Sequence, residues 1–212
     1  MAEARRHLAV AACLLAVACG PLPVSLSDGP QSFGSKDYER VFDHWTREKQ
    51  VFNLDTMENP LTVSATFRSW QFRQAFVERY ADDYRLDADS RAALLEEQRR
   101  DWEAWNEFLV ASTATNQKWA DFSREDSAWV MALTNDLGQE VALASLEKVS
   151  KPSPMLRTYY PFITVYRKTF VLRFPRVLED GAMPVLSSGI GSFSLVFSGA
   201  LGRAELEWKV KK

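Results

Sequence analysis

The clearest hydrophobic pattern lies near the C-terminus. Phe193, Leu195 and Phe197 alternate with Ser192, Ser194 and Ser198. After a Gly199–Gly202 turn, Ala204, Leu206, Trp208 and Val210 alternate with Arg203, Glu205, Glu207 and Lys209. Side chains of a strand point to opposite faces in turn, so this period of two predicts a hairpin with one face in the core. The same period recurs upstream. Leu61, Val63, Ala65 and Phe67 alternate with Thr62, Ser64, Thr66 and Arg68, after an Asn59-Pro60 turn. NEFLVASTA (106–114) sets Phe108 and Val110 on one face, and AWVMALTN (128–135) does so with Trp129, Met131 and Leu133. The Asn135-Asp136-Leu137-Gly138 turn leads to EVALASLEKV (140–149), expected as one strand. TVYRKTFVLRFP (164–175) is expected as a long strand with Tyr166, Phe170, Leu172 and Phe174 on one side.

Two stretches break this period. From Ser69 to Tyr84, Phe72, Phe76, Tyr80 and Tyr84 recur every four residues, with Ser69 placed as an N-cap. A second helix is expected from about Ser90 to Trp105, with Asp87 or Asp89 near its start and Leu94, Leu95, Trp102 and Trp105 facing inward. A short polar turn joins the two, which predicts a helical hairpin inserted at about 69–105. Residues 37–53 are mixed: Tyr38, Val41, Phe42 and Trp45 fit a helical stripe, and Val51 to Leu54 could begin a strand.

About seven short alternating strands favour antiparallel sheets, each packed on one face. The expected fold class is mainly β with a helical hairpin insertion: an immunoglobulin-like antiparallel β-sandwich in architecture, with a mixed α+β roll as the alternative. The Cys–Trp–Cys hallmark of antibody domains is absent from the sequence.

Composition changes this picture little. The 212 residues are 46% hydrophobic and 25% charged, as in globular chains, and seven Trp supply large apolar areas to bury. A net charge of −2 leaves no basic footprint for nucleic acid.

The N-terminus is different in kind. Arg5 and Arg6 precede an unbroken apolar run from Leu8 to Ala18, which ends in small residues before Cys19 and Gly20. This is the layout of a secretory signal, and about eleven apolar residues fall short of the roughly 20 that span a bilayer. The A-V-A-C-G sequence at 16–20 resembles the lipobox of bacterial lipoproteins, with Ala16 where that box favours Leu, Val or Ile. The resemblance covers residues 1–20 only. It implies cleavage before Cys19, acylation of that Cys and anchoring of the chain to a membrane. Gly20 rather than Asp after the Cys argues for the outer membrane where the sorting logic of diderm bacteria applies. Ala16-Val17-Ala18 also fits an A-x-A cleavage site, which leaves periplasmic or secreted export open. Cys13 has a better local match behind it in Val10-Ala11-Ala12, but too short an apolar core. The expected domains are a signal peptide at 1–18, a Gly-, Pro- and Ser-rich flexible tether at 19–36, and one folded domain at 37–212.

Candidate chemistry is sparse. Past residue 18 one His remains, His44, and one Cys, Cys19, so two-His metal sites, a Cys-based zinc site and an internal disulfide are excluded within one mature chain. No cofactor motif occurs: Gly189-Ile190-Gly191 lacks a third glycine and precedes a strand. No catalytic or metal-binding set is assigned. Asp82-Asp83 and Glu96-Glu97 fit solvated helix faces, and neighbours on a helix do not face each other. MLRTYYPF (155–162) follows a Pro-rich turn and has no clean period. Tyr159 and Tyr160 are the candidate partner-contact loop, with core packing as the other reading. The expected role is a lipid-anchored envelope protein with a non-catalytic binding or assembly function, its partner an envelope protein or a glycan. The alternatives are a glycan-binding module using a row of exposed aromatics, or a glycan hydrolase with two acids about 5–10 Å apart in a groove.

Overall fold

The computed structural model describes residues 22–29, 31–176, 184–187 and 189–211. Cys19 and the expected signal segment lie outside the described residues.

After a 3-10 turn at Ser35–Asp37, the stripe of Tyr38, Val41 and Trp45 forms the buried face of α1 (Tyr38–Trp45). β1 (Thr46–Asn53) follows at once, so Val51 lies near the end of a strand and not at its start. β2 (Glu58–Phe67) returns antiparallel to it. The helical hairpin, α2 (Trp70–Tyr84) and α3 (Ala88–Ala104), stands between β2 and β3 (Trp105–Thr113). Then come β4 (Val130–Asn135), β5 (Glu140–Ala142), β6 (Ser145–Val149), α4 (Pro154–Tyr159), β7 (Lys168–Pro175), β8 (Ser192–Gly199) and β9 (Gly202–Lys209).

Among the described residues these nine strands form two sheets, ordered β1-β2-β3-β7-β6 and β5-β4-β8-β9, with every neighbouring pair antiparallel. Their inner faces meet through aromatics. Phe67 lies 5.3 Å from Phe193, Phe108 lies 5.6 Å from Trp208, and Phe193 stacks on Trp208 at 5.2 Å. One core cluster spans both sheets.

Three expectations need correction. Residues 140–149 do not form one strand. Val141 and Leu146 have opposite parity, so a continuous strand would turn one of them out of the core. The chain instead leaves the four-stranded sheet after β5 and joins the five-stranded sheet as β6. Val141 then pairs with Leu133 and Leu146 with Leu172.

Second, β2, β3 and β7 are not half-buried. Thr66, Leu109, Ala111, Thr169 and Val171, on the face away from the second sheet, are buried as well. Helices cover the far side of this sheet, and two covered faces demand apolar or compensated residues on both. Tyr166 is an exposed residue ahead of β7, not part of it.

Third, the described part of the expected tether is held to the fold. The Val24 N–H donates to the Lys209 carbonyl at 2.7 Å, and the Lys211 N–H donates to the Val24 carbonyl at 2.7 Å. This parallel bridge to Val210 buries Val24, while Leu26 and Phe33 pack against the core. The edge of β9 offers unpaired backbone groups, and apolar positions scattered through a Pro- and Ser-rich stretch suffice to dock on them.

The hairpin is capped as its sequence suggests. The Ser69 hydroxyl accepts from the Phe72 N–H at 3.1 Å, and the Asp87 carboxylate accepts from the Ser90 N–H at 2.7 Å. Arg85 closes α2 in the left-handed region at φ 52°. Ser69→Ala is expected to cost about 1 kcal/mol, measured as a lower urea midpoint, because it strands a buried N–H.

Candidate functional site

The far side of the five-stranded sheet is where polar and apolar chemistry converge. Glu107 sits on β3 opposite Arg173 of β7, and both point away from the second sheet. Arg68 follows the last residue of β2. Ser69 then caps α2, which lays Arg73 across the same sheet face, and α3 brings Gln98 over it. Glu107 is 1% exposed and Arg73 is fully buried.

Three guanidinium groups surround this one carboxylate. Arg68 Nη1 donates to Glu107 Oε1 at 2.5 Å, Arg73 Nη2 to the same oxygen at 3.1 Å, and Arg173 Nε to Oε2 at 2.8 Å. Gln98 Oε1 accepts from both Arg68 Nη2 at 3.1 Å and Arg73 Nη1 at 2.8 Å. Burial alone would raise the Glu107 pKa, but the positive charges of Arg68 and Arg73 and the Arg173 hydrogen bond outweigh it and hold the acid below its ordinary value. Two further acids stand at the rim, Asp101 at 3.7 Å from Arg73 and Glu147 at 3.1 Å from Arg173, and both are solvent-exposed. Solvent screens such rim contacts strongly, so among the buried groups Arg68 and Arg73 face the single carboxylate of Glu107. Arg68 Nε is buried and has no hydrogen-bond partner.

Beside this network lies a pocket of about 380 Å³. Its walls are Phe76 and Tyr80 of α2, Leu94 of α3, Leu109, Val171 and Val149 of the sheet, and Met155, Leu156 and Tyr160 around α4. Arg68 and Gln98, hydrogen-bonded to each other, form its polar corner. The volume and the mostly apolar lining with a few convergent polar groups are those of a small-molecule site. No carboxylate, His or Ser lines it, and the acid behind it is held ionised by its arginines. The arrangement is suited to holding a ligand.

Tyr159 and Tyr160, expected on an exposed contact loop, are 3% and 2% exposed. Ser153 caps and Pro154 opens α4, which turns the aperiodic stretch into a helix end driven inward. The Tyr159 ring meets Phe76 edge-on at 5.3 Å, and its hydroxyl donates to Asp83 at 2.8 Å. The Tyr38 hydroxyl donates to the Tyr159 carbonyl at 2.6 Å. Tyr160 packs on Phe72 at 5.8 Å and walls the pocket. Their part is structural and pocket-forming, not surface contact.

The remaining candidates lie apart from this pocket. His44 packs edge-on to Trp45 at 5.9 Å. Its pKa is lowered by burial first, then by Arg47, Lys211 and Arg40 nearby. Asp83 is engaged by Arg79 and Tyr159, and Glu96 and Glu97 are exposed on α3. Asn135 organises its turn by accepting from the N–H groups of Leu137 and Gln139. Ile190 is buried in the bend before β8. Each of the seven Trp is described, and none is exposed.

The arginine cluster escaped sequence reasoning, though a signal was present. In NEFLVAS, Leu109 and Ala111 alternate with Phe108 and Val110, so both faces are apolar. A strand apolar on both faces is covered on both, and Glu107 on such a face requires buried partners.

Comparisons with protein-family models, with curated proteins and with solved structures found no match to this chain.

Proposed function

We propose that the chain is a lipid-anchored cell-envelope protein, acylated at Cys19, whose folded part is a non-catalytic binding module. The observation that carries the binding reading is the pocket between the helices and the five-stranded sheet. Its Arg68 and Gln98 are hydrogen-bonded to each other, and no carboxylate, His or Ser stands in its lining to serve as acid, base or nucleophile. The anchoring reading rests on Arg5, Arg6, the apolar run and the Cys19 box. Among the described residues no helix is long and apolar enough to cross a membrane. Because Val24 is stitched to β9 only five residues after Cys19, an acylated chain holds this body close to the bilayer. Two or more acyl chains, at roughly 0.8 kcal/mol per buried CH₂, hold a protein there firmly.

The layout is read as immunoglobulin-like. If β2 and β3 are strands A and B, then β4 is C, β5 is C′, and β6, β7, β8 and β9 are D, E, F and G. The sheets then run A-B-E-D and C′-C-F-G, as in that fold, with β1 added at the edge and the helical hairpin between A and B.

Intact-mass analysis of the full chain, expressed in a diderm bacterium and taken from the membrane fraction, tests the anchor. The expected chain begins at an acylated Cys19, and Cys19→Ala abolishes that species. A chain retaining Met1, or an unmodified mature chain, overturns the proposal.

A further inference from the structure

We infer that the pocket takes a single-chain aliphatic carboxylate, its tail among the apolar walls and its carboxylate at the Arg68–Gln98 corner; this rests on the reading of the pocket as the binding site. Three observations meet here. The walls are mostly aliphatic, and Met155 adds a side chain that adapts its shape to a flexible tail. Behind the corner the two most buried guanidinium groups, Arg68 and Arg73, share the single buried carboxylate of Glu107, so a second anion is favoured there and a cation is not. Arg68 also has bonding capacity to spare. Its hydrogen bonds to Glu107 and Gln98 take one N–H on each Nη and leave the other free. A carboxylate accepts such donors more strongly than a neutral oxygen does. No Asn, Asp or Glu stands in this lining to meet the hydroxyls of a sugar, and six of its residues are aliphatic.

The experiment uses the full chain carrying Cys19→Ser, so that no attached acyl chain competes. Dodecanoate and the uncharged dodecanol are each titrated below micellar concentration at pH 7.5, with displacement of a fluorescent apolar dye as a parallel signal. Dodecanoate is expected to bind about tenfold or more tighter than dodecanol, the scale of one charge-assisted hydrogen bond. Arg68→Met is expected to remove that difference. Val149→Trp, on the edge strand and outside the arginine network, is expected to abolish binding of both compounds while leaving the melting transition in place. Equal affinity for acid and alcohol overturns the carboxylate assignment and leaves a binding pocket standing. Failure of both compounds and the dye to bind overturns the pocket as a binding site. Binding that survives Val149→Trp places the ligand elsewhere and overturns the inference.

Discussion

Glu107→Ala is expected to cost the fold about 3–5 kcal/mol, the scale for breaking a buried ion pair by removing one partner. The reason is the position of the acid more than the number of its contacts. Arg73 is fully buried, and Arg68 and Arg173 reach the same carboxylate from two strands and a helix start. Without Glu107 the buried Arg73 and the largely buried Arg68 face one another beside the part-exposed Arg173, with only Gln98 and the rim acids to answer them. For a chain of this size each kcal/mol shifts the melting temperature by roughly 2–4 °C, so a drop of about 10 °C is anticipated. The exposed Glu147, which also meets Arg173, is the control: Glu147→Ala is expected to cost less than about 1 kcal/mol. Equal effects of the two substitutions would mean that the buried cluster is solvated and that the account above is wrong.

The same acid gives the comparison a pH dependence of fixed sign. The Glu107 pKa is lower in the folded state than in the unfolded chain. Its stabilisation is therefore complete above the unfolded value, near pH 4.3, and is lost as pH falls towards the folded value. The gap between the wild-type chain and Glu107→Ala is accordingly expected to narrow below about pH 4, by up to about 1.4 kcal/mol per pH unit. Asp121 acts in the same direction in both proteins. Burial would raise its pKa, but hydrogen bonds from Lys148, Ser123 and Lys168 hold it well below the carboxylate range. Acid therefore weakens both proteins, and only their difference reports on Glu107.

What was legible in the chain follows from where each signal acts. The 69–84 stripe, its Ser69 cap and the β8–β9 hairpin are local patterns, and local rules sufficed for them. The split of 140–149 depends on which sheet each half joins, a property of partners far away in sequence. The arginine site is further removed still: Arg68, Arg73, Gln98, Glu107 and Arg173 belong to β2, α2, α3, β3 and β7 or their ends, and no short motif contains them. Tyr159 and Tyr160 looked like a loop because six helical residues are too few to display a period. The docked Val24 was hidden because a single bridge needs only one apolar residue in a Pro- and Ser-rich stretch.

The second large effect concerns the contact between the sheets. Trp208→Ala is expected to destabilise the protein by about 3–5 kcal/mol, the range for removing a buried Trp side chain. Trp208 has no exposed surface, stacks on Phe193 at 5.2 Å and lies 5.6 Å from Phe108 of the opposite sheet. Its indole N–H donates to the Trp45 carbonyl at 3.1 Å, and Arg47 lies over its ring at 5.5 Å. Truncation opens a cavity between the sheets, removes that donor and takes the ring from under a partly buried guanidinium. At a urea dependence of about 2 kcal/mol/M the unfolding midpoint should fall by about 2 M. Trp208→Phe keeps a ring against Phe193 and loses mainly the hydrogen bond, so a loss nearer 1 kcal/mol is expected. Because β9 is an edge strand of its sheet, its stability depends on what its inner face touches. If Trp208→Ala cost no more than Trp208→Phe, the ring would not be bridging the two sheets, and the packing of Phe108 against the C-terminal hairpin would have to be redrawn.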